Sequence, residues 1–328
     1  MKAVVIGCGG IANWAHLPNL KKLGIEVVGV CDIVAQKAED AAKKYGSSPY
    51  TDYRDALMVD ADFAVIATPP DTHYEIAEYA LGQGKHVFLE KPLAAELKSA
   101  QKLYQITLES GRKLVPGLCL RFNPMFSYAA SRAKELGKLH YVYSLALGNA
   151  AGLLGPSGWV RERKRSGGMM TENVIHMIDA LRWFAGEYYS VSAVYSTFTP
   201  GSDIEDNVSA SLRFESGTVG NITKSWTSAR SLEGWGIVGE RGSIVVEGYV
   251  DGNLRVDIKG YGVTETHYYQ GGGQQMYYDE MLAFARYLRG EIEYPVTALD
   301  ALRAQELSEA ARLSSELRRE VKVSEVRS

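Results

Sequence analysis

A glycine-rich turn lies at the end of the first apolar run of the chain. The segment Gly7-Cys8-Gly9-Gly10-Ile11-Ala12 directly follows Ala3–Ile6 and opens a helical pattern. It fits the spacing G-x-G-x-x-A: the first glycine permits a tight turn, the second lets the backbone approach a pyrophosphate, and the third small residue lets the helix pack on the strand. The helix N-terminus adds free amide groups and a positive dipole end. The turn therefore predicts a dinucleotide site, with phosphate contacts from Gly7, Gly9, Gly10, Ile11 and Ala12.

An acidic residue ends the second predicted strand. Asp32 follows the apolar run Val27–Val30 and is itself followed by Ile33 and Val34. A carboxylate at this position accepts hydrogen bonds from both ribose hydroxyls of the adenosine half and repels a 2′-phosphate. Because no arginine comes next, the pattern favours NAD over NADP, with NADP still open.

The first 118 residues alternate short apolar runs with helical patterns. Strand–helix alternation of this length predicts a parallel sheet covered on both faces, which is a Rossmann domain over residues 1–118. The predicted strands are Ala3–Ile6, Val27–Val30, Phe63–Ala67, His86–Leu89 and Lys113–Val115, and the predicted helices are Ile11–Lys22, Ala35–Tyr45, Thr72–Leu81 and Glu96–Glu109.

The composition changes near residue 118. Residues 1–118 hold 9 aromatic side chains and residues 119–328 hold 24. The second part predicts an α+β domain over 119–328 with a mostly antiparallel, open sheet, because β-rich runs between 190 and 269 are separated by glycine turns. Helices are predicted at Pro124–Leu136, Thr171–Phe184, Gln275–Arg289 and Ala298–Leu317, with a strand at Leu139–Leu147.

Charge and cysteine content exclude several classes of protein. The formal net charge of −3 is too balanced for an electrostatic nucleic-acid binder. Three scattered cysteines, Cys8, Cys31 and Cys119, predict reduced, buried thiols in a cytoplasmic protein. The uncharged stretch Leu139–Val160 breaks into a strand and a glycine-rich loop, so we expect no membrane span. The histidine, cysteine and carboxylate spacings predict no metal site.

Three further segments carry a resemblance to a known family. They are Thr68-Pro69-Pro70-Asp71-Thr72-His73, Glu90-Lys91-Pro92, and Ser166-Gly167-Gly168 followed by Glu172, His176 and Asp179. Together they resemble the T-P-x-x-x-H turn, the E-K-P signature and the G-G-x-x-x-D-x-x-x-H-x-x-D pattern of the Gfo/Idh/MocA oxidoreductases, which are related to glucose–fructose oxidoreductase and inositol dehydrogenase. The resemblance covers essentially the whole chain.

The resemblance implies an NAD(P)-dependent dehydrogenase or reductase acting on CH–OH groups of a sugar, polyol, inositol or nucleotide-sugar. Lys91, at the carboxyl end of a parallel strand, is the expected proton donor to the reacting oxygen and contacts cofactor and substrate. Thr68, Pro69, His73 and Glu90 are expected to shape the nicotinamide side of the cofactor site.

A polar stripe lies on the helix predicted over Thr171–Phe184. Glu172, His176 and Asp179 are spaced i, i+4, i+7 on one face, and the residues between them are largely apolar. We expect His176 to act as general base or to share the proton with Lys91, and Glu172 to orient the imidazole. Asn173 and Asp179 complete the expected substrate contacts.

Two positions depart from the family pattern. Glu172 stands where the commonest pattern has Asp, which moves the carboxylate by about one methylene. Arg161 opens a basic run, Arg161-Glu162-Arg163-Lys164-Arg165, where the family often has W-R. Such a run either recognises a substrate carboxylate or phosphate, with Arg161 as the predicted contact, or forms a solvated loop.

Two other functions fit the same residues. In the first, a tightly bound NAD oxidises the sugar transiently and is restored after elimination or hydrolysis. In the second, the chain is a non-catalytic NAD-binding regulator, which the presence of Lys91 and His176 argues against. The family resemblance also predicts a homodimer or homotetramer through the C-terminal sheet, with Trp226, Trp235 and the tyrosine-rich strands at the interface.

Overall fold

The chain folds into two compact units that both contain discontinuous segments. The computed structural model describes residues 1–150, 152, 154–155, 158–258 and 262–327. The first unit consists of Met1–Cys119 and Gln274–Leu302, and the second of Leu120–Gly273 and Arg303–Ser328. The sequence did not indicate that residues 274–302 belong with the first unit.

The first unit is built on a six-stranded parallel sheet with the order β3-β2-β1-β4-β5-β6. Its strands are β1 (Lys2–Ile6), β2 (Glu26–Cys31), β3 (Ser48–Tyr50), β4 (Phe63–Ile66), β5 (His86–Glu90) and β6 (Leu114–Gly117). The α-helices between them are α1 (Leu17–Lys22), α2 (Ala35–Tyr45), α3 (Tyr53–Leu57), α4 (His73–Gly82) and α5 (Leu97–Glu109). All four residues of β4 and four of the five residues of β1 are buried, as expected for central parallel strands covered on both faces. The predicted Rossmann fold is confirmed.

Two short elements escaped the sequence analysis. Strand β3 has only three residues, includes Pro49 and lies at the sheet edge, so it carries no buried apolar run. Helix α3 is five residues long, too short for a helical period to be visible, although Asp52 caps it by accepting from the Arg54 amide at 2.8 Å.

Aromatic packing explains why the later segment joins the first unit. Helix α9 (Gly272–Leu288) carries Phe284, which is fully buried. The Phe284 ring meets Phe63 of β4 and Phe88 of β5 edge-on, at centroid distances of 5.2 and 5.6 Å. Tyr294 lies 6.4 Å away on the following segment. One side of the parallel sheet is therefore covered by residues nearly 200 positions later in the chain.

The second unit is built on a nine-stranded sheet with the order β14-β13-β12-β11-β7-β10-β9-β8-β15. The pairings are antiparallel except for β10 with β7, which confirms the predicted, mostly antiparallel sheet. The strands are β7 (Leu139–Asn149), β8 (Tyr188–Ser196), β9 (Asn207–Phe214), β10 (Val219–Ser225), β11 (Thr227–Gly239), β12 (Gly242–Gly248), β13 (Gly252–Ile258), β14 (Val263–Tyr269) and β15 (Val321–Lys322).

One face of this sheet is covered by helices. Trp235 on β11 is fully buried and stacks on Phe126 and Phe184, with centroid distances of 4.2 and 5.6 Å. The remaining α-helices are α6 (Pro124–Ala133), α7 (Arg163–Ser166), α8 (Ile175–Ala185) and α10 (Ala298–Leu317), of which α10 is divided between the two units. Trp226 is also buried. The prediction that Trp226 and Trp235 form a subunit interface is therefore wrong, because both side chains belong to the core.

The environment of the three cysteines matches the sequence prediction. Cys8, Cys31 and Cys119 are buried and free, as predicted. Burial is the main cause that raises the pKa of the Cys8 and Cys31 thiols to about 12, so neither is a reactive thiolate.

Among the residues that the structure describes, no helix is both long and apolar enough to cross a membrane.

We predict that Phe284→Ala destabilises the first unit by about 3–5 kcal/mol, because it removes a fully buried ring that contacts two strands. Urea unfolding measured by fluorescence and circular dichroism tests this. Leu108→Ala, at an exposed position of α5, is the matched control. A change of less than about 1 kcal/mol for Phe284→Ala would show that α9 is not held by this aromatic contact.

Candidate active site

The glycine turn after β1 has the geometry that the sequence predicts. Gly7 has φ of +96°, and a Cβ atom there would lie 2.5 Å from the carbonyl oxygen of Ala67, so only glycine fits. A Cβ at Gly9 or Gly10 would meet no atom of the described chain within 4 Å. The backbone of the turn is thus tightly packed behind Gly7 and open at the next two glycines. Ala12 is fully buried, as a close helix–strand contact requires.

The helix after this turn differs from the prediction. Residues Ala12–His16 near its start form a π-helical turn that continues as α1, where the sequence predicted a regular α-helix. π-Helical turns occur frequently at functional sites, because the wider hydrogen-bond register shifts side chains around the helix axis.

Asp32 ties the end of β2 to the glycine turn. Its Oδ2 accepts a hydrogen bond from the Cys8 amide at 3.0 Å, and its Oδ1 accepts one from the Val34 amide at 2.9 Å. Ile33 beside it is 90% exposed. The carboxylate is therefore fixed by two backbone donors at the carboxyl end of β2, and the adjacent side chain carries no positive charge.

His73 connects the loops that follow β4 and β5. Its Nδ1 lies 2.7 Å from the carbonyl oxygen of Pro92, and its Nε2 lies 2.8 Å from that of Thr68. Burial lowers the pKa of His73, and the hydrogen bonds to the two carbonyl oxygens oppose this effect. Thr72 reinforces the first loop by donating to the Pro69 carbonyl oxygen at 2.8 Å. The side chain of His73 thereby fixes the loop containing Thr68 and Pro69 beside the loop containing Lys91.

Glu90 is a buried carboxylate at the end of β5. Its Oε1 lies 2.8 Å from Nε2 of His16, which is 1% exposed, and its Oε2 accepts from the Lys91 amide at 3.2 Å. A Cβ added at Gly117 would lie 3.3 Å from this carboxylate. Glu90 thus links the helix of the glycine turn to the residue that carries the candidate catalytic amine. The sequence analysis missed the role of His16, which has no informative spacing.

A second buried acid lies in the same unit. Glu280 on α9 is fully buried, and neither carboxylate oxygen has a hydrogen-bond partner among the described residues. Burial, with a smaller contribution from Glu90, raises the pKa of Glu280 well above its usual range. Burial and the charges of Glu280 and Glu90 likewise raise the pKa of the Cys119 thiol, which shares a hydrogen bond with Tyr277. Glu280 therefore holds its proton more tightly than an exposed glutamate does.

In the second unit, the predicted polar stripe begins on a π-helical turn. Met170–Val174 form this turn, and α8 follows at Ile175. Glu172, Asn173 and His176 are partly exposed, whereas the apolar residues among them are buried. The structure thus brings these three side chains to the accessible side of one helical segment, as the sequence predicted for Glu172 and His176.

A buried ion pair fixes the approach to this turn. Glu205, which is 2% exposed, accepts from Arg163 Nη2 at 2.6 Å and from the Met170 amide at 2.9 Å. Gly168 has φ of +98°, and a Cβ there would lie 2.5 Å from Nη1 of Arg163. The positive φ of Gly168 and the adjacent guanidinium both favour glycine at this position.

Asp179 has a different environment from that of His176. It is 1% exposed and accepts two hydrogen bonds from Arg121, at 2.8 Å from Nε and 2.6 Å from Nη2. This bidentate pair joins α8 to the Arg121–Asn123 junction within the second unit. A substrate contact for Asp179 stays a prediction.

Two arginines of the basic run interact with other residues of the second unit. Arg161 donates to the carbonyl oxygens of Gly201 and Pro200 at 3.0 and 3.1 Å, and Arg163 pairs with Glu205 as described. Lys164 is exposed. A substrate role for Arg161 likewise stays a prediction. In the described part of the chain, no group of three or more histidine, cysteine or acidic side chains has an arrangement that could hold a metal ion.

Comparison with family models gives two matches. Residues 1–118 match the model described as oxidoreductase family, NAD-binding Rossmann fold, and residues 129–245 match that described as GFO/IDH/MocA C-terminal domain. The two matches together span most of the chain.

Individual relatives are similar along much of their length. The chain is 30% identical to inositol 2-dehydrogenase of Rubrobacter xylanophilus over 259 residues, which is 74% of this chain and 70% of that enzyme. It is 26% identical to 4-carboxy-2-hydroxymuconate-6-semialdehyde dehydrogenase of a Sphingobium species, over 70% of this chain and 73% of that enzyme. Other inositol 2-dehydrogenases match over slightly more than half of their own length.

Solved structures share the fold. The WlbA dehydrogenase from Bordetella pertussis, determined with NADH and UDP-GlcNAcA, superposes with a TM-score of 0.86 at 24% sequence identity. The superposition covers 98% of each chain. At this level of identity the likeness establishes the fold and carries no information about the substrate of the present chain.

We predict that Glu280 makes the stability of the protein fall as pH rises. Its pKa is raised in the folded state and near 4.5 when unfolded, so the folded state holds the proton more tightly. The stabilisation from this proton is complete below about pH 4.5 and is lost as pH rises toward the folded-state pKa. In that window the slope is up to about 1.4 kcal/mol per pH unit.

The test compares wild type with Glu280→Gln by urea unfolding between pH 5 and 9. The variant lacks the titrating proton, so its stability relative to wild type is expected to improve steadily with pH, whatever constant offset the substitution causes. A difference between the two proteins that stays flat across this range would show that Glu280 is ionised in the folded state.

Proposed function

The chain belongs to the GFO/IDH/MocA family of oxidoreductases with an NAD-binding Rossmann domain, and on that premise we propose that it transfers hydride between nicotinamide and a hydroxyl-bearing carbon of a sugar, polyol, inositol or nucleotide-sugar. The observation that carries the proposal is the position of Lys91. It directly follows β5, in the same parallel sheet whose β1 ends in the glycine turn, and ligands of such sheets bind at the carboxyl ends of the strands.

The residues of the turn fit a dinucleotide. The open backbone at Gly9 and Gly10 and the start of the helix at Ile11 and Ala12 suit a pyrophosphate, which needs close approach to amide groups. Gly7 fixes the turn itself. The carboxylate of Asp32 suits the ribose hydroxyls of NAD and would repel the 2′-phosphate of NADP. The bound dinucleotide supplies the hydride acceptor or donor, and the protein supplies position and proton transfer.

We assign Lys91 to proton transfer with the reacting hydroxyl. During oxidation the carbon loses hydride and the hydroxyl loses a proton, which a neutral amine accepts; during reduction the ammonium returns it. Glu90 and His73 act on the positions of their neighbours, because they fix the backbone at Lys91 and Pro92. Thr68 and Pro69 shape the nicotinamide side of the cofactor site.

Residues of the second unit are assigned to the substrate. His176 is assigned as a general base, Glu172 orients the imidazole, and Asn173 contacts the substrate hydroxyls. All three belong to the accessible side of the segment described above. The buried pair with Arg121 makes Asp179 a positioning residue that holds α8 in place.

The uncovered face of the nine-stranded sheet is assigned to a second copy of the chain. Apolar side chains on this face are exposed: Tyr141, Val219, Leu232 and Val245 are 38%, 41%, 56% and 37% accessible. They lie on four neighbouring strands, and exposed apolar side chains on one face of a sheet suit an interface with another chain. The proposal is a homodimer or homotetramer formed through this face.

We predict that Asp32→Asn reduces the preference for NADH over NADPH at least tenfold. The amide keeps one acceptor for the turn but lacks the charge that repels a 2′-phosphate. Dissociation constants measured by quenching of protein fluorescence provide the test. Glu26→Ala, an exposed acid at the other end of β2, is the control. Equal affinity of wild type for the two cofactors would contradict the assignment of Asp32.

We also predict that Lys91→Met lowers kcat by roughly 10²–10⁴-fold, because it removes proton transfer. NADH is followed at 340 nm with a panel of polyols and sugars. Lys98→Met, at an exposed position of α5, controls for loss of a charge. Unchanged turnover in Lys91→Met would refute the assignment. Substrate consumption without accumulated NADH would instead support the redox-neutral reaction.

A further inference from the structure

A partly buried lysine of the second unit forms no hydrogen bond with the residues that the structure describes. Lys224 lies near the end of β10, and within the described part of the chain its ammonium forms no hydrogen bond or ion pair. Burial lowers the pKa of Lys224 against the opposing effect of nearby acids. An ammonium group that is partly withdrawn from water and has no acceptor among the described residues gains from a ligand that supplies one.

The strand register places Lys224 on the helix-covered face of the sheet. Ile222, two residues earlier, pairs with Ser144, which in turn pairs with Trp235, and Trp235 stacks on Phe184 of α8. Side chains two apart on a strand share a face. Lys224 is therefore on the face that α8 covers, one row beyond the aromatic core.

Two carboxylates act on this ammonium. Glu233 lies in the same row, because Lys224 and Glu233 both pair with Ala146 from opposite sides of β7. Glu172, on the π-helical turn, is the second acid whose charge acts on Lys224. The free cation of this face is thus beside the candidate general acid–base residues of the same unit.

The charges indicate what kind of group Lys224 can bind. One ammonium and two carboxylates give a local net charge of −1, which disfavours an anionic ligand. A hydroxyl group, in contrast, accepts from an ammonium through its oxygen and donates its proton to a carboxylate. A row of adjacent donors and acceptors therefore suits neighbouring hydroxyl groups on an uncharged ligand.

We propose that Lys224 is a substrate-binding residue that donates to hydroxyl oxygens of an uncharged sugar or polyol, with Glu172 and Glu233 as the accepting partners. The inference rests on the proposed function and narrows it, because it favours neutral substrates over those that carry a carboxylate or phosphate. Nothing in the sequence spacing singles out Lys224, since β10 alternates like any half-buried strand.

The test uses the full-length protein saturated with NADH, so that binding is measured without turnover. Calorimetric titration with myo-inositol, D-galactose and D-galacturonate compares neutral ligands with a uronate that differs from galactose by oxidation at one carbon. Wild type is expected to bind at least one neutral ligand, and to bind galactose more tightly than galacturonate. Lys224→Met should weaken the binding of neutral ligands at least tenfold. Lys224→Arg should restore part of the lost affinity for neutral ligands. Glu233→Gln should reduce the difference in affinity between galactose and galacturonate.

Control measurements distinguish a loss of ligand binding from a loss of folded structure. Lys134→Met removes an exposed charge of the same unit and is expected to change nothing. The NADH dissociation constant and the melting temperature of Lys224→Met should equal those of wild type, because the side chain forms no hydrogen bond or ion pair with the described residues. Where wild type turns over a substrate, Lys224→Met should raise KM and leave the pH dependence of kcat in place.

Three results would overturn the inference: unchanged affinity of Lys224→Met for neutral ligands, a wild type that prefers galacturonate, or no binding of either neutral ligand to wild type. A shift of the pH–rate profile at constant KM would also overturn it, because Lys224 would then act only through Glu172. Lys224-dependent binding without any hydride transfer at 340 nm would refute the proposed function and leave this inference in place.

Discussion

A buried carboxylate needs donors, and the hydrogen bonds of Glu90 satisfy that need across three separate parts of the first unit. His16 comes from the helix of the glycine turn, the Lys91 amide from the end of β5, and Gly117 on β6 provides the space. Breaking one partner of such a group leaves a desolvated charge, which costs several kcal/mol. The cofactor helix and the strand that presents Lys91 are therefore mechanically coupled. For the proposed role of Lys91 in proton transfer, this coupling supplies a fixed backbone position.

The sequence predicted the elements whose period is long enough to be visible. Helix Ala35–Tyr45 and helix Ala298–Leu317 have the predicted bounds, because their apolar residues repeat over three turns or more. The π-helical turns at Ala12–His16 and Met170–Val174 were not predicted. A one-residue change in hydrogen-bond register leaves the apolar pattern intact, so the sequence carries no signal for it. Both turns lie where a functional segment begins, which makes the error informative.

Site residues whose interaction partners are distant in the sequence could not be interpreted from spacing alone. The glycine positions and Asp32 could be interpreted locally, since strand, turn and helix are contiguous in sequence. Asp179, in contrast, was interpreted from its spacing to His176, and its actual partner, Arg121, is 58 positions earlier. The basic run looked like an anion site, yet Arg163 is engaged by Glu205. Sequence spacing indicates which face of a helix a residue occupies, but it does not indicate which residues pack against that face.

Four ionisable groups of the described chain differ in how their polar atoms are satisfied. Asp179 and Glu205 are buried and paired with arginines, which stabilises the segments around them. Glu280 is fully buried without a hydrogen-bond partner among the described residues, and burial raises its pKa well above the usual range. Lys224 is partly exposed and forms no hydrogen bond or ion pair with the described residues, so a ligand that reaches this face can supply acceptors. An unpaired cation beside two acids favours a ligand that both donates and accepts, and a hydroxyl group does both.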